Sequence, residues 1–245
     1  SLDINLYLVM KKIVLLFVAV CLMLSLSAQT NFQNLVLDKA LDKAKGEGKM
    51  VFVDCYTSWC GPCKYMTETI FPQEKAGEFF NPKFVCVKFD MEKGEGPELA
   101  KRFGVRAYPT FLILRPDGTV QHKIVGGGDL DRFIAKVEKG LNEKTSLDYL
   151  NKIYEKGKMN KKQLMTYSVV LNEAYEKDKS EKVGKELDAV LKEKDKMKKE
   201  YWPILERSPY GSDNFKLVLN NIGTFNKNIG KEKVDKYLTS CYTNA

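Results

Sequence analysis

Residues 57–64 read Thr-Ser-Trp-Cys-Gly-Pro-Cys-Lys, and this stretch decides the interpretation of the whole chain. Cys60 and Cys63 stand two residues apart and enclose Gly61 and Pro62. A cysteine pair with this spacing occurs in three kinds of site: half of a metal centre, a structural disulfide, or a dithiol that opens and closes. The rest of the sequence has to distinguish them.

A metal centre and a purely structural disulfide both fit poorly. Zinc needs about four protein ligands, of which one Cys-x-x-Cys pair supplies two. The chain has one histidine, His122, in a predicted strand, and Cys86 falls within a predicted buried strand. A disulfide across so short a loop removes little entropy from the unfolded chain. The spacing therefore favours a redox-active pair, and we expect no metal site.

Short apolar segments alternate with helical patterns between residues 32 and 141. The apolar runs 50–56 and 83–91 lack polar alternation, which is typical of strands buried on both faces of a sheet. Two further strands, 109–114 and 120–127, flank the turn Arg-Pro-Asp-Gly. Helical patterns cover 32–45, a segment from Cys63 to about Phe80 that Pro72 interrupts, 96–105 and 129–141. This order predicts an α/β fold in which helices cover a mixed sheet.

The remaining part, residues 142–245, is predicted to be an all-α domain of unknown role. Lys, Glu and Leu dominate it, and its apolar residues recur at helical spacing. Three of its aromatic residues could either form a contact surface or pack between helices: Tyr201, Trp202 and Tyr210.

The net charge of +8 does not indicate a nucleic-acid partner. Residues 29–140 carry 17 basic and 15 acidic side chains, and 141–245 carry 21 and 16, interspersed throughout. Such a distribution is typical of a solvated surface rather than of a polyanion site.

The beginning of the chain resembles a secretory signal. Met10 and two lysines precede the apolar run 13–24 and the sequence Ser-Leu-Ser-Ala-Gln-Thr. We therefore predict a signal peptide over 10–28, cleaved near Ala28, with residues 1–9 lying upstream of the true start. Lipid attachment through Cys21 is disfavoured because bulky Val20 precedes it. The mature chain is then exported, is not inserted in a membrane, and keeps five cysteines in a compartment where disulfides persist.

The chemistry of disulfide exchange explains the spacing of the pair. Cys60 is expected at the point where a strand gives way to a helix, whose first N–H groups favour a thiolate. Cys63, one turn further, can attack the mixed disulfide that Cys60 forms with a substrate. Gly61 permits close approach of a partner backbone, and Pro62 presets the first helical turn.

The sequence Trp-Cys-Gly-Pro-Cys-Lys after a buried strand, with this order of elements, resembles the thioredoxin family over about residues 31–141. The longer segment after the motif is similar to exported thioredoxin-like domains such as the C-terminal domain of DsbD. The resemblance implies a thioredoxin-like domain at 29–141 that uses no cofactor besides the Cys60–Cys63 disulfide. By resemblance, Asp54 manages the proton of Cys63 and Lys88 is its partner. The implied substrate-binding residues are Trp59, Gly61, Pro62, Tyr108, Pro109, Thr110 and Gly126.

These features together predict an exported, periplasmic thiol-disulfide oxidoreductase that reduces protein disulfides. A reductant in an oxidising compartment must itself be re-reduced, which implies a membrane thiol electron donor. Two alternatives stay open: a binding or assembly protein whose helical half recruits a partner, and a dedicated reductase of apocytochrome c thiols.

Overall fold

A computed structural model describes Lys11 and residues 29–243 of the 245-residue chain. The chain divides into two compact units: the first runs to Val120 and includes Gly126–Ala135, and the second contains Gln121–Val125 and the chain from Lys136 onward. The predicted signal peptide at 10–28 lies outside the described residues, except for Lys11. The domain boundary after residue 141 stays a prediction.

The thioredoxin-like part has the predicted alternation of helices and strands. Its elements are α1 (Leu37–Glu47), β1 (Met50–Tyr56), α2 (Gly61–Tyr65), a π-helical turn (Met66–Ile70), α3 (Glu74–Phe80), β2 (Phe84–Asp90), α4 (Gly96–Phe103), β3 (Thr110–Leu114), β4 (Val120–Val125) and α5 (Leu130–Leu141). Gly104 ends α4 in the left-handed conformation, with φ of 61°, where a side chain would be strained.

The four strands form one mixed sheet in the order β2-β1-β3-β4. β1 pairs in parallel with β2, which follows it after a helical crossover, and antiparallel with β3. β1 and β3 are therefore the inner strands of the sheet, and the carboxyl ends of the parallel strands β1 and β2 lie side by side. The predicted mixed sheet with flanking helices is confirmed.

β1 is buried on both faces, as its apolar run predicts. Val51, Val53 and Cys55 belong to a cluster that includes three residues of helix α1, and Phe52 points to the opposite face. There its ring lies 4.7 Å from that of Phe80 between centroids. The rings in contact with Phe52 are Phe32, Phe71, Phe80, Phe84, Phe111 and Phe133.

The opening helix begins later than its apolar pattern predicts. Phe32 forms an isolated parallel β-bridge with Cys86, and α1 starts only at Leu37. The Phe32 ring packs edge-on against Phe71, at 4.9 Å between centroids. The chain at Phe32 therefore follows the edge strand β2 instead of entering the helix, and Val36 stays exposed, so the predicted start at residue 32 is wrong.

The segment after the cysteine pair is also less regular than predicted. Helix α2 passes at Met66 into a π-helical turn, in which the Phe71 N–H donates to the Met66 carbonyl, 2.9 Å away. Pro72 then separates this turn from α3, because proline cannot continue the helical hydrogen bonds.

The chain beyond residue 141 is helical, as predicted. Its helices are α6 (Leu147–Glu155), α7 (Lys161–Glu173), α8 (Lys177–Val190), α9 (Glu193–Lys196), α10 (Trp202–Leu205), α11 (Asp213–Asn220), α12 (Ile222–Ile229) and α13 (Lys231–Thr243). They share a hydrophobic core that contains Tyr201 and Trp202, whereas Tyr210 is half exposed. Tyr201 and Trp202 thus pack between helices. Within the described residues, no helix has the length and apolar character needed to cross a bilayer.

Candidate active site

The cysteine pair lies where β1 gives way to helix α2. Cys60 is the N-cap residue of α2, and Pro62 occupies the first turn, where its missing N–H costs no hydrogen bond. The Cys63 N–H donates to Cys60 Sγ, 3.1 Å away, and the two sulfurs are joined in a disulfide. Once the bond is reduced, the same N–H and the start of the helix favour the thiolate form of Cys60.

Access to the disulfide is narrow. Cys60 is 3% exposed and Cys63 is 2% exposed, whereas Trp59 beside them is 66% exposed. Gly61 is exposed, and a Cβ added there would meet nothing within 4 Å. Both sulfurs are therefore largely covered, and the open space beside Gly61 allows the chain of a partner to approach the Cys-Gly-Pro-Cys turn closely.

Asp54 lies on β1, six residues before Cys60, and is the only carboxylate buried in that strand. It is 1% exposed, and neither carboxylate oxygen has a hydrogen-bond partner among the residues that the structure describes. Burial raises its pKa to about 7, and the positive charge of Lys88 opposes that rise. Asp54 can therefore take up or release a proton near neutral pH.

Lys88 stands opposite Asp54 in the parallel register of β1 and β2. Its side chain is exposed, in contrast with that of Asp54. The lysine therefore acts on the carboxyl group through its charge, and it offsets only part of the cost of burial.

Trp59 is held in place by a residue that the sequence did not single out. Its indole N–H donates to the Glu92 carboxylate, 3.0 Å away. The ring meets Tyr108 edge-on, with 6.0 Å between the ring centroids. Glu92 follows β2 in a turn, and no local pattern distinguishes it from the surface glutamates, so only the three-dimensional structure assigns it this contact.

The Tyr108–Pro109 peptide bond is cis. This agrees with the resemblance of residues 108–110 to the cis-proline segment of thioredoxins. The Thr110 hydroxyl donates to the Ala107 carbonyl, 2.7 Å away, and the Gly126 N–H donates to the Pro109 carbonyl, 2.8 Å away. Gly126 has a φ of 83°, which a residue with a side chain rarely adopts. The contact between Trp59 and Tyr108 brings this segment beside the cysteine turn.

The other described cysteines are buried and unpaired: Cys55, Cys86 and Cys241. Burial raises the pKa of Cys86 to about 12 and that of Cys55 well above its ordinary value, so both stay protonated. The Cys241 thiol lies 3.7 Å from the Ser208 carbonyl, to which it donates. Within residues 29–243, no three His, Cys, Asp or Glu side chains are grouped so as to hold a metal ion.

His122 is a buried residue of β4. Its Nδ1 accepts a hydrogen bond from the Leu147 N–H, 3.1 Å away, and Nε2 has no partner among the described residues. Burial and the nearby charge of Lys139 lower its pKa to about 3. The ring is neutral at physiological pH and fixes the start of α6.

Comparison with protein families identifies the region that carries this site. The model of the thioredoxin-like domain family matches residues 37–141. A thioredoxin H-type of rice (Oryza sativa subsp. indica) is 39% identical over 101 residues, which are 40% of this chain and 77% of that protein. The thiol:disulfide interchange protein DsbD of Pseudomonas fluorescens is 31% identical over 103 residues, which are 41% of this chain and 18% of that protein.

Among solved structures, the solution structure of a proposed disulphide-isomerase from Bacteroides thetaiotaomicron is 43% identical. It covers 46% of this chain and 94% of that one, with a TM-score of 0.44. Each of these matches covers less than half of the present chain.

Proposed function

Because the chain belongs to the thioredoxin family, we propose that it is an exported reductase of protein disulfides. The observation that carries this proposal is the Cys60–Cys63 disulfide at the start of a helix, six residues beyond the buried Asp54. Two cysteines placed in this way can store two electrons in the dithiol form and release them to a substrate.

The reaction begins with the Cys60 thiolate. It attacks one sulfur of a substrate disulfide, so that the substrate S–S bond breaks and a disulfide between Cys60 and the substrate forms. The other substrate sulfur leaves as a thiolate and takes a proton from water. The helix start and the Cys63 N–H stabilise the attacking thiolate at the pH of the reaction.

The second step returns the protein to the disulfide form. Cys63 passes its proton to the Asp54 carboxylate and attacks Cys60 Sγ, which breaks the mixed disulfide and releases the second substrate sulfur as a thiolate. Two electrons have then moved from the dithiol to the substrate. A pKa of about 7 suits Asp54 to this role, and the charge of Lys88 favours its ionised, proton-accepting form.

The substrate groove is formed by the segments beside the cysteine turn. Exposed Trp59 and half-buried Tyr108 supply the aromatic surface, and Gly61 leaves room for the partner's backbone. In this proposal the backbone before Pro109 pairs with an extended substrate segment, and the Gly126 N–H holds the Pro109 carbonyl in place. Such a groove suits a protein disulfide in an extended stretch of chain.

The direction of the reaction and the location of the protein complete the proposal. The Gly-Pro pair between the cysteines favours reduction, by resemblance to thioredoxins. The similarity to DsbD and the signal-like sequence at 10–28 support export to the periplasm. Oxidised chains then need an electron donor, and we propose a membrane thiol protein for that role.

Replacement of each cysteine tests the reaction. With dithiothreitol as reductant, Cys60→Ser should abolish reduction of the insulin disulfides. Cys63→Ala should accumulate a disulfide between Cys60 and the substrate, which mass spectrometry can locate. Cys241→Ser, a matched change in the helical unit, should keep wild-type activity. Reduction of insulin by the Cys60→Ser variant at the wild-type rate would refute the proposal.

A further inference from the structure

The Met66 side chain packs against the backbone of Gly127. A Cβ added to Gly127 would lie 2.6 Å from Met66 Sδ and 2.8 Å from Met66 Cγ. Carbon and sulfur do not approach so closely, and Met66 is fully buried. The methionine side chain therefore occupies the space that any side chain at position 127 would need.

Met66 is fixed by the element that carries the cysteines. It follows Cys63 by three residues, and its carbonyl accepts the hydrogen bond of the Phe71 N–H that closes the π-helical turn. Because the residue is buried and its backbone is bonded, its thioether has a defined position relative to Cys63. The thioether is therefore held at a fixed position relative to helix α2, which carries the cysteines.

Gly127 is fixed, in turn, to the segment that contains Pro109. Its neighbour Gly126 donates its N–H to the Pro109 carbonyl, 2.8 Å away. The contacts run from the cysteine helix through Met66 and Gly127 to Gly126, and from there to Pro109. This path connects the two segments that line the proposed substrate groove, which are the cysteine helix and the segment around Pro109.

We propose that the Met66–Gly127 contact is a spacer that sets the width of the substrate groove. The thioether fixes how closely the loop 126–128 approaches the cysteine helix, and the loop fixes the position of the Pro109 segment through the Gly126 hydrogen bond. Met66 and Gly127 are positioning residues, since in this role they act through the loop and the Pro109 segment. The proposal rests on the proposed reduction of protein disulfides.

Steady-state kinetics with two kinds of disulfide test the spacer. Gly127→Ala should raise KM for insulin about tenfold with little change in kcat, because the displaced loop misplaces the bound chain. Reaction of the reduced protein with 5,5′-dithiobis(2-nitrobenzoate), a small disulfide that does not need the groove, should stay at the wild-type rate. Gly46→Ala, where a Cβ meets nothing within 4 Å, is the matched control and should behave as the wild type.

Compensation distinguishes a spacer from general loss of stability. Met66→Ala alone should also raise KM for insulin, because the spacer is absent, whereas Met66→Leu, of similar volume, should keep it near the wild-type value. The double variant Gly127→Ala/Met66→Ala should lower KM to within about threefold of the wild type, since the new methyl group enters the vacated space. A wild-type KM in Gly127→Ala, or no recovery in the double variant, would overturn the proposal.

Amide exchange gives a readout that does not depend on activity. The Gly126 N–H should exchange slowly in the wild type and much faster in Gly127→Ala and in Met66→Ala. If the wild-type chain reduces no insulin, the proposed function fails while this measurement still decides on the spacer. If Gly127→Ala does not fold, Met66→Ala decides, and unchanged exchange and KM in that variant would refute the contact's role.

Discussion

Asp54 and Lys88 face each other in the register of two adjacent parallel strands, but only Asp54 is buried. Burial therefore disfavours the ionised form of the Asp54 carboxyl group, and the charge of the exposed Lys88 offsets only part of this desolvation penalty. A pKa of about 7 follows from this imbalance. The position is costly for stability and useful for proton transfer, and the two consequences can be measured separately.

Removal of the Asp54 charge should stabilise the protein at alkaline pH. Its pKa is about 7 in the folded chain and 3.8 in the unfolded reference, so stability is lost as the pH rises from about 4 to about 7. Asp54→Asn avoids that loss, and we expect its free energy of unfolding to exceed the wild-type value by about 3–4 kcal/mol at about pH 8. Urea unfolding at about pH 4 and about pH 8 checks this; a variant that is less stable than the wild type at both would contradict it.

The same substitution should slow the second step of exchange. Without the carboxylate, Cys63 loses its proton acceptor, and the disulfide between Cys60 and the substrate should persist at least about tenfold longer. Rapid acid quenching followed by mass spectrometry measures that lifetime. Asp42→Asn, on the exposed side of α1, is the matched control and should leave it unchanged. An unaltered lifetime in Asp54→Asn would remove Asp54 from the reaction.

Glu92 should contribute to substrate binding through Trp59. Glu92→Ala removes the acceptor of the indole N–H, so the aromatic wall of the groove loosens and KM for insulin should rise about fivefold, as expected from the loss of one hydrogen bond. Glu92→Gln keeps an oxygen acceptor and should have a smaller effect. The control is Glu98→Ala on the exposed face of α4. Equal KM values in Glu92→Ala and Glu98→Ala would exclude this role.

His122 should make the helical unit sensitive to acid. Its pKa is about 3 in the folded chain and 6.5 in the unfolded reference, so the unfolded chain gains a proton first and stability is lost as the pH falls from about 6.5 to about 3. His122→Gln cannot take up this proton, and the difference in unfolding free energy between variant and wild type should grow with acidity to about 5 kcal/mol. Urea unfolding followed by the fluorescence of Trp202, in a Trp59→Phe background, measures it. A difference that does not change with pH would contradict the assignment.

Phe52 should be the most sensitive of the aromatic core residues. It is fully buried and its ring meets six others, so Phe52→Ala should cost about 3–5 kcal/mol of unfolding free energy. Phe79→Ala, at a partly exposed ring that contacts Phe80 and Lys83, should cost about 1 kcal/mol. Thermal unfolding of both variants compares them. Similar losses would show that the rings around Phe52 repack.

Much of the sheet and the reactive pair could be predicted from the sequence because their signals are local. The run 50–56 has no polar alternation except Asp54, and it forms β1 over the predicted residues. Gly104 and Pro97 mark the ends of α4 because their backbone preferences are strong. The cysteine spacing, likewise, specifies a strand-to-helix turn within four residues.

The remaining features depend on contacts that are distant in sequence. Phe32 lies outside helix α1 because its backbone bridges to Cys86 and its ring packs against Phe71. Neither contact can be predicted from the local sequence pattern. Glu92 and Gly127 have partners 33 and 61 positions away, and neither residue type is distinctive at its position. The complete burial of His122 likewise depends on distant contacts, such as the hydrogen bond from the Leu147 N–H at the start of α6. The sequence of β4 alone does not indicate this burial.

The proposed reaction depends on Cys60 being an acidic, nucleophilic thiol. The direct test is the rate of iodoacetamide alkylation of the reduced chain between about pH 5 and about pH 10, with each cysteine followed by mass spectrometry. We predict that Cys60 reacts first, with an apparent pKa well below the ordinary value of about 8.5, while Cys55 and Cys86 stay unmodified in the folded protein. A Cys60 that titrates like an ordinary cysteine, or reacts no faster than Cys63, would contradict the account.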